Sequence, residues 1–98
     1  MYKLKYSTAA AKYIKKIKNN ELKSELKKAI DSIAQNPLIG EAKMGDLQGI
    51  FGYDVFYDSV NYEIAYTVLE KEVLITIIMV GTRENFYKEL KRYIKSAK

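Results

Sequence analysis

Neither cysteine nor histidine occurs among the 98 residues of the sequence. Without cysteine, the chain has no disulfide bond and no thiolate that could bind a metal or carry redox chemistry. Without histidine, it also lacks the commonest metal ligand and general base. These absences exclude zinc hydrolases and nucleophiles of the Ser-His or Cys-His type, and we expect neither a metal nor any other cofactor.

Long apolar segments are absent as well. No window of the sequence approaches the roughly 18 apolar residues that a membrane-spanning helix needs. The first residues, MYKLKYS, carry charge where a secretion signal would have an apolar segment. We therefore expect a cytoplasmic protein that makes no contact with a membrane. A chain of this length has room for one hydrophobic core, so we expect a single domain over residues 1–98.

The net charge of +5 (17 basic minus 12 acidic residues) is unevenly distributed along the chain. Residues 1–46 carry ten lysines and five acids, residues 47–82 carry one lysine and five acids, and residues 83–98 carry six basic residues and two acids. Such basic segments favour a polyanion or an acidic protein as partner, although a lysine-rich helix face is more often only a solubilising face.

Apolar residues near the beginning of the chain predict one strand followed by two helices. Tyr2 to Tyr6 alternates tyrosine and leucine with lysine, which is typical of a half-buried strand. Two helical stripes follow, separated by Asn19-Asn20 and ended by the only proline, Pro37. Their apolar residues are Ala10, Tyr13, Ile14 and Ile17 in the first helix and Leu22, Leu26, Ala29, Ile30, Ile33 and Ala34 in the second.

The second half of the chain predicts three strands and a final helix. Apolar and polar residues alternate from Tyr53 to Tyr57 and from Tyr62 to Val68, as in strands with two unlike faces. The segment from Val73 to Val80 is almost entirely apolar and predicts a strand covered on both faces at the centre of the sheet. Thr82 can then cap a helix. The apolar stripe of this helix consists of Phe86, Leu90, Tyr93, Ile94 and Ala97.

The order of elements, β-α-α-β-β-β-α, predicts an α+β domain. We expect a four-stranded antiparallel sheet packed with an N-terminal helical hairpin and a C-terminal helix. The junction after the last strand would place Arg83 and Tyr87 one helical turn apart at the mouth of the sheet. The irregular stretch from Pro37 to Gly49, with Lys43 in its middle, is either a plain connector or a functional loop.

Four short motifs, in this order and over nearly the whole chain, resemble the RelE/ParE superfamily of type II toxins. The motifs are Gly45-Asp46-Leu47-Gln48-Gly49, Tyr53-Asp54-Val55-Phe56, Tyr62-Glu63-Ile64-Ala65-Tyr66 and Val80-Gly81-Thr82-Arg83-Glu84-Asn85-Phe86-Tyr87. The resemblance implies the toxin component of a type II toxin-antitoxin system, with a RelE-like fold and a cognate antitoxin as partner.

In the RelE branch, the resemblance further implies a ribosome-dependent mRNA endonuclease that uses the RNA 2′-hydroxyl as nucleophile and needs no metal. Arg83 matches the arginine at the end of the last strand, which would hold the scissile phosphate. Tyr87 matches a tyrosine of the following helix that could stack on a base or share a proton. Lys43 lies where the nucleases carry basic residues. We therefore expect these three residues to be catalytic, with the ribosome and mRNA as partners.

Two positions depart from the nuclease branch, which carries arginines on the second and third strands where this chain has Asp54 and Glu63. Anions at these positions would repel phosphate by about 1 kcal/mol or more per contact. The alternative function is therefore a ParE-like inhibitor of DNA gyrase, or a toxin relic that only binds its antitoxin. From the sequence, we expect both carboxylates to face solvent or to pair with a lysine.

Lysine-rich helices predict where the antitoxin binds. Antitoxins of this superfamily resemble extended, partly disordered chains that bury apolar anchors and pair charges along a groove. We expect an acidic antitoxin segment to dock on the basic faces of the helices. The residues concerned are Lys12, Lys15, Lys16, Lys23, Lys27 and Lys28 in the first two helices and Lys88, Lys91, Arg92 and Lys95 in the last.

Overall fold

The structure, a computed structural model, describes residues 1–96 and confirms the predicted α+β class. None of the helices in this range has the length and apolar character that a membrane span requires. The elements are β1 (Lys3–Tyr6), α1 (Thr8–Lys16), α2 (Asn20–Gln35), β2 (Glu41–Ala42), β3 (Phe51–Tyr57), β4 (Val60–Leu69), β5 (Leu74–Thr82) and α3 (Phe86–Ser96).

Short polar side chains fix the beginnings of the two N-terminal helices. The Ser7 hydroxyl accepts a hydrogen bond from the backbone N–H of Ala10 at 3.0 Å and donates one to the carbonyl of Ile78 in β5. The Asn19 side chain accepts hydrogen bonds from the backbone N–H groups of Glu21 and Leu22 in the first turn of α2. Pro37 follows the end of α2 and keeps the helix from continuing. Side-chain hydrogen bonds thus set where the two helices of the hairpin begin, and the proline sets where the second one ends.

The sheet corrects two details of the predicted architecture. It has five strands in the order β1-β5-β4-β3-β2, and β1 lies parallel to β5, so the sheet is mixed. The fifth strand, β2, has only two residues and pairs with the beginning of β3, which is too short a segment to give a periodic signal. The direction of β1 is set by the crossover through the helical hairpin, which alternation within a strand does not encode. Because β2 adds a strand outside β3, the centre of the sheet is β4 and not β5.

Two apolar cores lie on the two faces of the sheet. The larger core joins α1 and α2 to one face and includes Leu26, Ile30, Ile64 and Ile75. The smaller core joins α3 to the opposite face around Phe86. Because successive side chains of a strand point to opposite faces, β4 and β5 contribute to both cores and are covered on both sides, as predicted for the segment after Val73.

Helix α3 begins three residues later than a cap at Thr82 would place it. Thr82 is the last residue of β5 and still pairs with Tyr62 of β4, so the predicted capping role is wrong. The expected apolar stripe is otherwise present, since Phe86 and Leu90 are buried and Ile94 packs against the same core. Ala97, the last predicted member of the stripe, lies outside the described residues.

Tyr66 ties the irregular segment before β2 to the centre of the sheet. Its side chain is fully buried, and its hydroxyl donates to the carbonyl of Pro37 and accepts from the N–H of Gly40. Both backbone groups would lose a partner if this hydroxyl were removed. The hydroxyl therefore holds in place the segment that leads to Lys43.

We predict that Tyr66→Phe lowers the free energy of unfolding by about 1–3 kcal/mol, because it leaves two backbone groups without their partner in a buried place. Urea denaturation followed by circular dichroism measures the change. Tyr2→Phe is the matched control, since the Tyr2 hydroxyl bonds to Glu70 in an exposed position and should contribute little. Equal stability of the two variants would show that the Tyr66 hydroxyl does not anchor this segment.

Candidate functional site

A cleft opens on the face of the sheet that carries α3, beside the part that the helix covers. Asp54, Glu63 and Gly81 stand directly opposite one another on β3, β4 and β5 and form one row across its floor. The cleft has a volume of about 280 Å³. Its lining consists of Ile39, Glu41, Lys43, Gly52, Tyr53, Asp54, Glu63 and Arg83.

Glu63 is the centre of this site. Within residues 1–96 it is the only charged side chain that is buried, with 2% of its surface exposed. One carboxyl oxygen accepts a hydrogen bond from the Tyr87 hydroxyl at 2.9 Å, and the other lies 3.6 Å from the Arg83 guanidinium. A buried carboxyl needs such partners, because desolvation of an unpaired charge is costly. The expectation that Glu63 faces solvent or pairs with a lysine is therefore wrong.

Arg83 follows directly after β5, and its guanidinium lies between two carboxyls. The same nitrogen is 3.5 Å from Asp54 and 3.6 Å from Glu63. Both distances exceed the 2.7–2.9 Å or so that is usual for charge-assisted hydrogen bonds. More than half of the Arg83 side chain is exposed, as is more than half of Asp54. The guanidinium is thus held loosely and can exchange Asp54 for another anion.

Lys43 and Tyr87 meet on the other side of Glu63. The Lys43 ammonium lies 4.8 Å from the centre of the Tyr87 ring and donates to the carboxylate of Glu41. Lys43 precedes β3 and Tyr87 belongs to the first turn of α3. The structure thus places the three predicted site residues, Arg83, Tyr87 and Lys43, around one carboxyl that the sequence analysis did not select as a site residue.

Gly52 makes this convergence possible. A Cβ atom at this position would lie 2.8 Å from Cε of Lys43 and 2.9 Å from the hydroxyl of Tyr87. Real Cβ contacts are essentially never shorter than 3.0 Å, so either side chain would have to move. The sequence analysis missed Gly52. The available signal was a glycine inside an alternating strand, which often marks a close approach of other groups.

The protonation states in the cleft follow from burial and neighbours. Burial and, to a smaller extent, the neighbouring Asp54 carboxyl raise the pKa of Glu63 to about 7, although Tyr87 and Arg83 oppose the shift. Burial also raises the pKa of the Tyr87 hydroxyl. Burial lowers the pKa of Lys43, but the hydrogen bond to Glu41 and the Tyr87 hydroxyl outweigh it, so the net shift is upward. At neutral pH, Lys43 is cationic, Tyr87 is neutral and Glu63 titrates.

Residues 1–96 contain no group of three histidine, cysteine, aspartate or glutamate side chains placed to hold a metal ion. Two cations and three carboxyls supply the charge of the cleft itself. They are Lys43, Arg83, Glu41, Asp54 and Glu63.

We predict that Glu63 makes the stability of the protein depend on pH. The folded state raises its pKa from 4.5 to about 7, so its favourable contribution is complete below pH 4.5 and is lost as the pH rises through 7. Glu63→Gln lacks this titration. Relative to that variant, the free energy of unfolding of the wild type should fall by up to about 3 kcal/mol between pH 4.5 and 8. Urea denaturation at both pH values measures the difference. Parallel pH profiles would show that the Glu63 pKa is not raised.

Comparisons with known proteins agree with this architecture. The sequence model of the ParE-like toxin of type II bacterial toxin-antitoxin systems matches residues 4–91. The isolated RelE toxin of E. coli is 25% identical, with a TM-score of 0.67 over 96% of this chain and 99% of that chain. A chain of the intact E. coli RelBE toxin-antitoxin complex is also 25% identical, with a TM-score of 0.66 over 83% of this chain and 95% of that chain.

A more distant structure shares the fold. In the RelBE2 toxin-antitoxin complex of M. tuberculosis, a chain with 20% identity has a TM-score of 0.70 over 84% of this chain and 91% of that chain. A search of curated protein sequences finds no match. Since the family match extends over most of the chain and the fold agrees along nearly its whole length, this protein belongs to the ParE-like toxins of type II toxin-antitoxin systems, within the RelE/ParE superfamily.

Proposed function

We propose that this toxin inhibits translation as a metal-independent endoribonuclease that cleaves mRNA on the ribosome. The observation that supports this function best is the convergence of Arg83, Lys43 and Tyr87 on the Glu63 carboxyl in one open cleft. Cleavage through the 2′-hydroxyl of RNA needs a cation for the phosphate and groups that move two protons. The cleft holds groups of each kind.

Arg83 is the phosphate ligand in this proposal. Its guanidinium is permanently charged and presents a planar set of donors that fits two phosphate oxygens. The loose, exposed contact with Asp54 is the one that the phosphate would replace. As the 2′-oxygen attacks phosphorus and the bond to the 5′-oxygen breaks, the guanidinium stabilises the negative charge that develops on the phosphate.

Lys43 and Tyr87 act on the leaving group. Lys43 is protonated at neutral pH and can give a proton to the departing 5′-oxygen, so it serves as an acid and as a second cation. One face of the Tyr87 ring is already covered by the Lys43 ammonium, and the ring meets Phe86 edge to face. We therefore assign the Tyr87 hydroxyl to proton sharing and do not assign its ring to base stacking.

A second candidate function is inhibition of DNA gyrase without catalysis. It is favoured by the charge of the cleft, in which three carboxyls face two cations and leave no positive excess to attract a polyanion. The description of the matching family as ParE-like toxins points in the same direction. In this case the cleft would be a structural ion network, and the toxin would act by binding a protein.

One comparison distinguishes the two functions. We predict that the purified toxin cuts mRNA on translating ribosomes and leaves the supercoiling activity of gyrase intact. Arg83→Gln should reduce cleavage about 100-fold, because it removes the charge at the phosphate. Arg92→Gln, which removes an exposed arginine of α3, is the matched control and should cleave like the wild type. Intact mRNA together with inhibited supercoiling would contradict the nuclease and support the second function.

We propose a cognate antitoxin as the partner that restrains the toxin, bound on the helical hairpin. An apolar groove of about 350 Å³ lies there, on the side of the sheet opposite the cleft. Its lining consists of Tyr6, Ala11, Ile14, Lys15, Leu26, Lys27 and Ile30. Apolar walls with two lysines match an acidic segment that carries an apolar anchor.

We predict that reversing both groove lysines, Lys15→Glu and Lys27→Glu, weakens antitoxin binding at least tenfold and leaves folding unchanged, because exposed lysines contribute little to stability. The control is the same charge change at Lys3 and Lys71, which are exposed elsewhere. Association with the wild type should also slow between about 0.05 and 0.5 M salt. Equal loss of affinity in both double variants would show that only net charge matters and that the groove is not the binding site.

A further inference from the structure

The cleft contains several groups that could accept a proton, and most of them are unsuited to it. Lys43 and Tyr87 hold their protons at neutral pH, because the pKa of each is raised. Glu41 is 77% exposed at the rim and is engaged with the Lys43 ammonium. Asp54 is 54% exposed and pairs with Arg83. Glu63 differs from all of them because it lies at the floor of the cleft and is fixed there.

The surroundings of Glu63 hold it in a fixed orientation in the lining of the cleft. The Tyr87 hydroxyl and the Arg83 guanidinium hold one carboxyl oxygen each, which defines the plane of the group. Gly81, the neighbour of Glu63 in β5, has no side chain, and the Phe86 ring lies against it. On the Gly52 side, Lys43 and Tyr87 fill the space beside a Glu63 oxygen, and the carboxyl lines the cleft beside Asp54 and Arg83.

Arg83 connects this carboxyl to the reacting phosphate. In the proposed function the guanidinium binds the scissile phosphate, and the same nitrogen lies 3.6 Å from Glu63. A phosphate that takes the place of Asp54 on Arg83 would therefore lie beside the Glu63 carboxyl. The 2′-hydroxyl adjacent to that phosphate would then lie next to the Glu63 carboxyl.

We infer that Glu63 is a catalytic residue whose carboxylate accepts the proton of the RNA 2′-hydroxyl next to the phosphate bound by Arg83. This inference rests on the proposed function and adds the missing base to it. The 2′-oxygen forms a bond to phosphorus, the bond from phosphorus to the 5′-oxygen breaks, and the products are a 2′,3′-cyclic phosphate and a 5′-hydroxyl. The proton from the 2′-hydroxyl goes to Glu63, and Lys43 gives its proton to the 5′-oxygen.

Tyr87 completes the cycle as a positioning residue. Its hydroxyl donates to Glu63 and its ring lies under the Lys43 ammonium. After cleavage, Glu63 is protonated and Lys43 is neutral, so a proton must return from one to the other. The Tyr87 hydroxyl lies between them and provides the path for this transfer.

The charged and titratable groups that face Glu63 make the inference testable by pH. They are Asp54 from β3, Arg83 after β5 and Tyr87 from α3, with Lys43 behind the tyrosine. A base must be deprotonated to act, so the rate should fall about tenfold per pH unit well below the pKa of Glu63, which is about 7. This decline in rate is the acidic limb of the pH profile. Asp54 helps to raise the pKa of Glu63, so Asp54→Asn should move the acidic limb to lower pH.

The experiment measures single-turnover cleavage of ribosome-bound mRNA from pH 5 to 9 by the wild type, Glu63→Gln, Asp54→Asn and Glu72→Gln. Glu63→Gln should cleave about 100-fold more slowly at pH 8 and lose the acidic limb. Glu72, exposed in the turn between β4 and β5, is the matched control and should behave like the wild type. Circular dichroism of each variant verifies that it is folded.

The outcomes separate this inference from the proposed function. Cleavage by Glu63→Gln at the wild-type rate with the same pH profile would overturn the role of Glu63 and leave the nuclease intact. If Glu63→Gln does not fold, the pH profile of Asp54→Asn provides the test. A decline in rate at the same pH in Asp54→Asn and in the wild type would then overturn the role of Glu63. A wild type that cuts no mRNA on translating ribosomes would overturn the inference together with the function.

Discussion

Burial of the Glu63 carboxyl is the constraint on which the rest of the site depends. A carboxylate with 2% of its surface exposed loses several kcal/mol of solvation, which pairing must offset. Its partners come from outside β4, since Arg83 follows β5 and Tyr87 lies in the first turn of α3. Because Glu63 stands on the central strand, both must reach the middle of the sheet. This requirement accounts for Gly52 in β3, where a side chain would collide with Lys43 and with the Tyr87 hydroxyl.

The sheet separates two surfaces of different chemistry. The face that carries α3 holds the cleft, in which carboxyls outnumber cations. The opposite face carries the helical hairpin, whose groove is apolar and flanked by lysines. In our proposals, RNA binds on the first face and the antitoxin on the second, so the two ligands use different residues. Restraint of the toxin would then require the antitoxin chain to extend around the molecule, as a disordered segment that folds on binding can.

The sequence predicted the elements whose signals are local. The helical stripes and the alternation in β3 and β4 follow from neighbouring residues. Long-range features were missed. The direction of β1 depends on a crossover, and the two residues of β2 are strand only because β3 lies beside them. Motif similarity selected Arg83, Tyr87 and Lys43, but the burial of Glu63 depends on a tyrosine 24 residues away and could not be read from alternation alone.

The most direct test of this account is the titration of Glu63 itself. Carbon-13 NMR of the glutamate side-chain carboxyls, with the signal assigned by its absence in Glu63→Gln, reports each pKa separately. We predict that the Glu63 resonance titrates with a midpoint near 7, well above the ordinary value of 4.5. A midpoint at or below 4.5 would show that Glu63 is a permanently charged partner of Arg83, and would contradict its role as the base of the cleft.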